Sequence, residues 1–256
     1  MRLVMFFTGI LLTSSAMAQM DNSIIDSEAS NTIRLDSLYQ KLDNQQNYKD
    51  VRVYNDSKNL AFVSVSAVEV MNPGAKEEHV KETDFGNGPL ISTKALMIPA
   101  ESSRSVRVYY PETISRDADR FFRIRFTPVM PTKEHGFTDS QLKSAKTVES
   151  NFKLSFAWGG LLAVVKNSPN LDYKVHLEAS NNLVFENTGD SLVTIKYLSL
   201  CSEDNQCKNI TAKPFRVLSK QSKKIPISEF IKQNPKMNRI DIQEDSLPLK
   251  SINLVK

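Results

Sequence analysis

Two cysteines, three histidines and scattered carboxylates are the residues of this chain that could hold a metal or move a proton. Cys201 and Cys207 sit six apart, a spacing that suits a disulfide closing a short polar loop in an exported chain. A redox pair usually takes the tighter Cys-X-X-Cys form, and a zinc site needs further ligands close by. His79, His135 and His176 are far from one another and from both cysteines in sequence, so no metal site is expected. There is no glycine-rich phosphate loop, no nucleophile elbow, no zinc-binding histidine pair and no acid pair of recognised spacing. Lone acids such as Asp84 and Glu178 read as solvated strand or loop residues. With no set of groups in named roles, neither a catalytic residue nor a cofactor is expected, and the chain does not read as an enzyme.

The informative pattern is apolar. In Phe152-Lys153-Leu154-Ser155-Phe156-Ala157-Trp158, continued by Gly159-Gly160-Leu161-Leu162-Ala163-Val164-Val165, every second residue up to Trp158 is large and hydrophobic. Successive side chains of an extended chain face opposite ways. Phe152, Leu154, Phe156 and Trp158 therefore form one ridge, with Lys153, Ser155 and Ala157 on the other side. Such a ridge either enters its own core or is offered to another molecule, and periodicity alone favours the first.

The surrounding elements are short and β-rich. Runs at residues 51–54, 60–70, 90–98, 105–110, 121–127 and 152–165 alternate with turn residues such as Asn55-Asp56-Ser57, Asn72-Pro73-Gly74 and Gly86-Asn87-Gly88-Pro89. Six or seven strands at that interval fill one immunoglobulin-sized unit. A proline-containing connection at 166–171 marks the boundary, and a second series follows at 173–178, 183–186, 192–200, 215–218, 223–227 and 252–255. Weak helical patterns occur at 139–148 and 227–233, the first inside a long polar connection of the kind that is usually mobile or functional.

At the N-terminus Arg2 precedes the apolar run of residues 3–12 and then Ala16-Met17-Ala18, which reads as a signal peptide over residues 1–18. The apolar run is about half the ~20 residues that a spanning helix needs. No later segment is apolar enough to cross a bilayer, so no membrane insertion is expected. Residues 20–31 read as a loose polar extension. The formal net charge is +4, and the basic residues are dispersed instead of gathered, which argues against a nucleic-acid partner.

Taken in order, the turns and strands carry a resemblance. Val51-Arg52-Val53-Tyr54 before Asp56-Ser57-Lys58, then Met71-Asn72-Pro73-Gly74 with Glu77-Glu78, then Ile98-Pro99-Ala100 and Ser105-Val106-Arg107-Val108, follow one another along the chain. Phe122-Arg123-Ile124 before Pro128, Leu154-Ser155-Phe156, Phe185-Glu186-Asn187-Thr188-Gly189 and the two cysteines complete the set. This order resembles the periplasmic pilus chaperones of the chaperone-usher pathway, in the alternate branch that serves colonisation-factor-type fimbriae.

The resemblance implies an all-β protein of two immunoglobulin-like β-sandwich domains joined at an angle with a cleft between them. The domains would span 19–166, with a donor strand near 152–165, and 167–256, with the Cys201–Cys207 disulfide. It implies a chaperone that binds fimbrial (pilin) subunits in the periplasm by donor-strand complementation, a mode of β-strand addition, and delivers them to an outer-membrane usher. The donated side chains would be Phe152, Leu154, Phe156 and Trp158, burying roughly 1.5 to 3 kcal/mol each before ordering costs. Related chaperones clamp the subunit's terminal carboxylate with an arginine on the first strand and a lysine on the donor strand. Here the first-strand candidate is Arg34, nothing basic occurs between Lys153 and Lys166, and Arg123 is the candidate substitute. Arg107 reads as structural. The alternative is a fimbrial structural subunit or adhesin, although subunits are normally shorter single sandwiches.

Overall fold

The computed structural model describes residues 33–83, 86–146, 157–178, 182–234, 236–245 and 248–253. The expected signal peptide and N-terminal extension lie outside the described residues, as do Asp84 and three members of the apolar ridge, Phe152, Leu154 and Phe156.

The chain enters through β1 (Ile33–Leu35) and β2 (Tyr39–Leu42), then forms β3 (Tyr48–Asn55), β4 (Ala61–Val70), β5 (Val80–Glu82), β6 (Leu90–Ile91), β7 (Ala95–Ile98), β8 (Ser102–Tyr109) and β9 (Arg120–Pro128). A short helix, α1 (Asp139–Lys146), precedes β10 (Trp158–Val164). One sheet has the order β1-β3-β8-β6; the facing sheet has the order β2-β10-β9-β4-β5, with β7 also on β4. Alternation decides which side chains meet between them. Val51 and Val53 of β3 and Val106 and Val108 of β8 point inward from one sheet, against Val63, Val65, Phe122, Ile124, Phe126, Leu162 and Val164 from the other. Burial of such side chains is worth roughly 1.5 to 3 kcal/mol each.

Two chain crossings shape this domain. Between β1 and β2 the chain leaves the first sheet, where the Asp36 amide donates to the Arg52 carbonyl, and joins the second, where the Leu161 amide donates to the Leu38 carbonyl. The apolar run at 90–98 is likewise not one strand. It breaks at Thr93, whose hydroxyl donates to the Ala95 carbonyl and accepts the Ala95 amide, so β6 belongs to one sheet and β7 to the other.

The second domain comprises β11 (Tyr173–Leu177), β12 (Asn182–Asn187), β13 (Val193–Ser202), β14 (Cys207–Asn209), β15 (Phe215–Val217), β16 (Ser222–Pro226), α2 (Ser228–Gln233), β17 (Met237–Glu244) and β18 (Lys250–Asn253). Its sheets run β11-β12-β16 and β14-β13-β17-β18, with β15 on β13. Tyr173, Phe185, Phe215, Ile195, Leu198, Leu200, Ile240 and Ile242 fill the space between them. β17 is absent from the sequence reading, because only Ile240 and Ile242 share a parity and Met237 falls out of it, across a register shift; the structure buries all three. Cys201 and Cys207 face each other across β13 and β14 and are joined, as expected from their spacing.

In each domain a buried asparagine ties a turn to a distant strand. Asn55 Nδ2 donates to the carbonyls of Asn59, Ile98 and Pro99, while its Oδ1 accepts from the Ser57 amide and hydroxyl. Asn187 Nδ2 donates to the carbonyls of Ser191 and Val217, and its Oδ1 accepts the Gly189 amide. Gly189 is required by close approach: a Cβ there would lie 2.2 Å from the Asn170 carbonyl oxygen.

Polar contacts fix the two domains against each other. Asp119 accepts from the Lys166 amide of the connection and from the Ser191 hydroxyl and Leu192 amide of the second domain. Lys41 of β2 pairs with Asp245 at 2.7 Å, and Lys196 of β13 reaches the same carboxylate at 2.6 Å.

Replacing Asn55 with Ala leaves buried carbonyls without donors, at a cost of about 1 to 3 kcal/mol for each unsatisfied group. An Asn55→Ala chain is expected to unfold at clearly lower urea, with a loss of roughly 2 to 4 kcal/mol; an unchanged midpoint would remove the stapling role. Replacing both cysteines with Ser is expected to cost about 2 kcal/mol by the loop-closure relation for so short a loop, read in the same denaturation experiment.

Candidate functional site

The ridge strand is paired unequally. β10 runs antiparallel to β9 along its whole length, Trp158 opposite Phe126 and Val164 opposite Arg120, but pairs with β2 only over residues 161–164. The amides of Leu161 and Val165 donate to the carbonyls of Leu38 and Leu42, so odd-numbered residues direct their backbone groups toward β2. By the same alternation the amide and carbonyl of Gly159 point to that edge, where no described strand meets them. Among the described residues the Gly159 carbonyl receives a long contact, 3.4 Å, from Arg123 Nη1. An edge of this kind is a template for pairing with another chain.

Trp158 is the one member of the predicted ridge among the described residues. It is half-buried and packs against the first-domain core. Trp158 therefore covers its own core one residue before the open edge at Gly159.

The candidate anchors do not come together. Arg34, on β1, donates from Nε to Asp56 at 2.7 Å and lies over the Tyr54 ring at 3.9 Å. It lines a groove with Glu101, Ser102 and Ser103 and does not line the cleft between the domains. Arg123, on β9, does line that cleft, which measures about 340 Å³. Both of its fork nitrogens are held by Glu78, with Nε to Oε2 at 2.9 Å and Nη2 to Oε1. The guanidinium holds the Glu78 carboxyl below its ordinary value against the opposing effect of burial. Glu78 is itself placed by the turn at Asn72-Pro73-Gly74: it accepts the Gly74 amide, and Gly74 supplies a φ of 83°. Arg107 pairs bidentately with Asp50 across β8 and β3, apart from the cleft.

The remaining cleft residues come from both domains and are absent from the sequence reading. Tyr39 and Leu161 contribute from the first, Leu192, Arg216 and Lys223 from the second. Arg216 Cζ lies 3.3 Å over the Tyr39 ring. Burial pushes the Tyr39 phenol above its ordinary value, opposed by Arg216. Arg216 is an outward residue of a three-residue strand, and nothing in its local pattern marks it.

With this geometry in place the chain can be set beside known proteins. No family model matches the sequence. Over 154 residues, 60% of this chain, it is 27% identical to a CS1 fimbrial subunit of Escherichia coli, and it spans 62% of that relative's length. The crystal structure of the class 5 fimbriae chaperone CfaA superposes with a TM-score of 0.55 at 16% identity, covering 88% of this chain and 100% of the other. A chain from a study of the chaperone-tip adhesin complex in CFA/I fimbriae biogenesis gives a TM-score of 0.52 at 17% identity, with coverage of 88% and 99%. The fold is that of a fimbrial chaperone. Its two-domain all-β architecture agrees with the sequence expectation, and among the described residues no helix is long and apolar enough to cross a membrane.

The acids that hold the site titrate in a predictable sense. Lys196 and then Lys41 hold Asp245 below its ordinary 3.8, and Arg123 holds Glu78 below 4.5. A carboxyl whose folded value is depressed contributes stability that is fully present above its unfolded value and is lost as pH falls through the folded one. Acid titration followed by NMR is therefore expected to release the Lys41–Asp245 contact only below about pH 4. Asp245→Asn should remove that part of the pH dependence, and an unaltered profile would count against the clasp.

Proposed function

We propose that this chain is a periplasmic chaperone that binds fimbrial subunits by donor-strand complementation and passes them to an outer-membrane usher. The observation that supports the reading is the edge of β10 at Gly159, which no described strand pairs, within a fold shared with the class 5 fimbrial chaperone CfaA. A sandwich subunit that lacks one strand exposes an apolar groove beside two unpaired edges, a hazard for aggregation. A strand laid into that groove pairs with both edges through its backbone, and alternate large side chains fill it. In this reading Phe152, Leu154, Phe156 and Trp158 are the donated side chains, and the open edge beside Gly159 is where the partner's strand begins to pair.

The stability of the complex suits a transient carrier. Up to four large side chains at roughly 1.5 to 3 kcal/mol each hold a subunit, yet a better-fitting strand from a neighbouring subunit displaces them without nucleotide chemistry. Residues 1–18 would direct export, and residues 19–166 and 167–256 would act as the two domains. Of the two sequence-derived anchors for a subunit's terminal carboxylate, Arg123 is the better placed, since Arg34 is engaged by Asp56 outside the cleft. Catalysis has no part in this function.

Co-expression with a fimbrial subunit from the same operon tests the reading. Phe156→Asp is expected to abolish recovery of the one-to-one complex while the chain keeps its thermal midpoint. Because Trp158 also packs on its own core, the second variant is Gly159→Pro, which removes the donor at the open edge and spares the ladder to β9. Full recovery of complex with both folded variants would end the donor-strand assignment.

A further inference from the structure

The disulfide of the second domain has a carboxylate set against it. Cys201 of β13 lies opposite Cys207 of β14 on one side and Arg239 of β17 on the other, while Asp241 lies opposite Ser199 of β13 and Ser251 of β18. Residues two apart on a strand share a face, so the bridge, Arg239 and Asp241 lie together on one face of the sheet. Asp241 Oδ2 is 3.2 Å from Cys201 Sγ and 4.0 Å from Cys207 Sγ. Bridged sulfurs carry no hydrogen, so these are contacts of a carboxylate with sulfur and not hydrogen bonds. Oδ1 accepts from Arg239 Nε at 2.9 Å and from the Ser251 hydroxyl at 2.7 Å, and Arg239 Nη2 also reaches Oδ2 at 3.2 Å. Burial raises the Asp241 carboxyl, but Arg239 and Ser251 together bring it below its ordinary 3.8, so it is charged at neutral pH.

The two sulfurs differ in access. Cys201 is fully buried and Cys207 is exposed. A thiolate reductant therefore reaches Cys207, and the electron pair of the broken S–S bond must leave on Cys201, the sulfur nearer to Asp241. Thiol exchange slows as the pKa of the leaving thiol rises, and a neighbouring negative charge raises that pKa. Arg239 would act in the opposite sense, but its Nε is held by Asp241 and its Nη2 is shared with Asn205 of the hairpin loop. The loop adds two exposed acids, Glu203 and Asp204, while Lys208 is engaged by Asn234.

We propose that Asp241 is a charge guard of the Cys201–Cys207 disulfide, making Cys201 a poor leaving group and so protecting the bridge from small-molecule thiols. In the step that it opposes, the reductant thiolate bonds to Cys207 Sγ, the Cys201–Cys207 bond breaks, and Cys201 departs as a thiolate that takes a proton from water. A second thiolate then displaces Cys207, and the reductant leaves oxidised as its own disulfide. The bridge closes the hairpin of β13 and β14, and β13 also carries β15 and β17. The guard thus preserves one end of the strand on which that sheet is built, and it does not depend on the chaperone reading.

The full oxidised chain is exposed to glutathione in mildly alkaline buffer and quenched with iodoacetamide, and mass spectrometry reads both the loss of the bridge and the position of the glutathione adduct. The adduct is expected on Cys207. Asp241→Asn is expected to open roughly tenfold faster, because it removes the acid and frees Arg239 beside the leaving sulfur. Arg239→Gln is expected to open several-fold more slowly, because it leaves the acid uncompensated. A merely loosened hairpin would speed both variants, so the opposite directions separate charge from structure.

Thermal midpoints of the oxidised variants establish that they are folded. Should Asp241→Asn fail to fold, Arg239→Gln decides the matter alone. An unchanged rate in folded Asp241→Asn, an unchanged or faster rate in Arg239→Gln, or an adduct on Cys201 would overturn the guard.

Discussion

A β-strand satisfies its backbone only where both edges are paired, and among the described residues β10 meets that condition over residues 161–164 but not at Gly159. The asymmetry follows from the path of the entering chain. β1 is spent on the other sheet, against β3, and the chain crosses over only in time for Tyr39 to reach Leu161. Gly159 and Gly160 let neighbouring chain pack close there, with Arg123 over the first and Leu35 over the second. The donor-strand reading, and the choice of partner that it implies, depend on this unshared stretch of backbone.

The cleft follows from a second constraint, the fixed relation of the two domains. Asp119 grips the connection and the start of β13, and Asp245 gathers a lysine from each domain. Among the described residues Arg216 and Lys223, which line the cleft, make no ion pair with those acids.

Within each domain the irregular segments are held by economical devices. Asn55 and Asn187 each tie a turn to a distant strand through one carboxamide, and Cys201–Cys207 closes the hairpin of β13 and β14. Glu78 fastens the Asn72-Pro73-Gly74 turn to Arg123, so a loop that is ordinary in sequence becomes a wall of the cleft.

Much of this was legible in the residues. The alternation of Val51 and Val53 or of Phe122, Ile124 and Phe126 determines a strand with one buried face, because side-chain direction in an extended chain depends only on parity. The six-residue spacing of the cysteines and the Asx turn at Asn55 are equally local and could be read directly, whereas the turn at Asn187 entered only through the family resemblance. Ile240 and Ile242 carried a fainter form of the same signal, which Met237 leaves across a register shift near Cys201.

Tertiary structure alone decided which residues share the cleft. Arg34 and Arg123 both lie on strands and both suit a carboxylate, yet one sits over Tyr54 beside Asp56 and the other faces the second domain. Arg216 is 177 positions from Tyr39, and only the docking of one sandwich on the other stacks them. Local pattern records which face a side chain occupies. It carries no information on which other face that one meets, since that is set by sheet order, strand crossing and the polar clasp between domains.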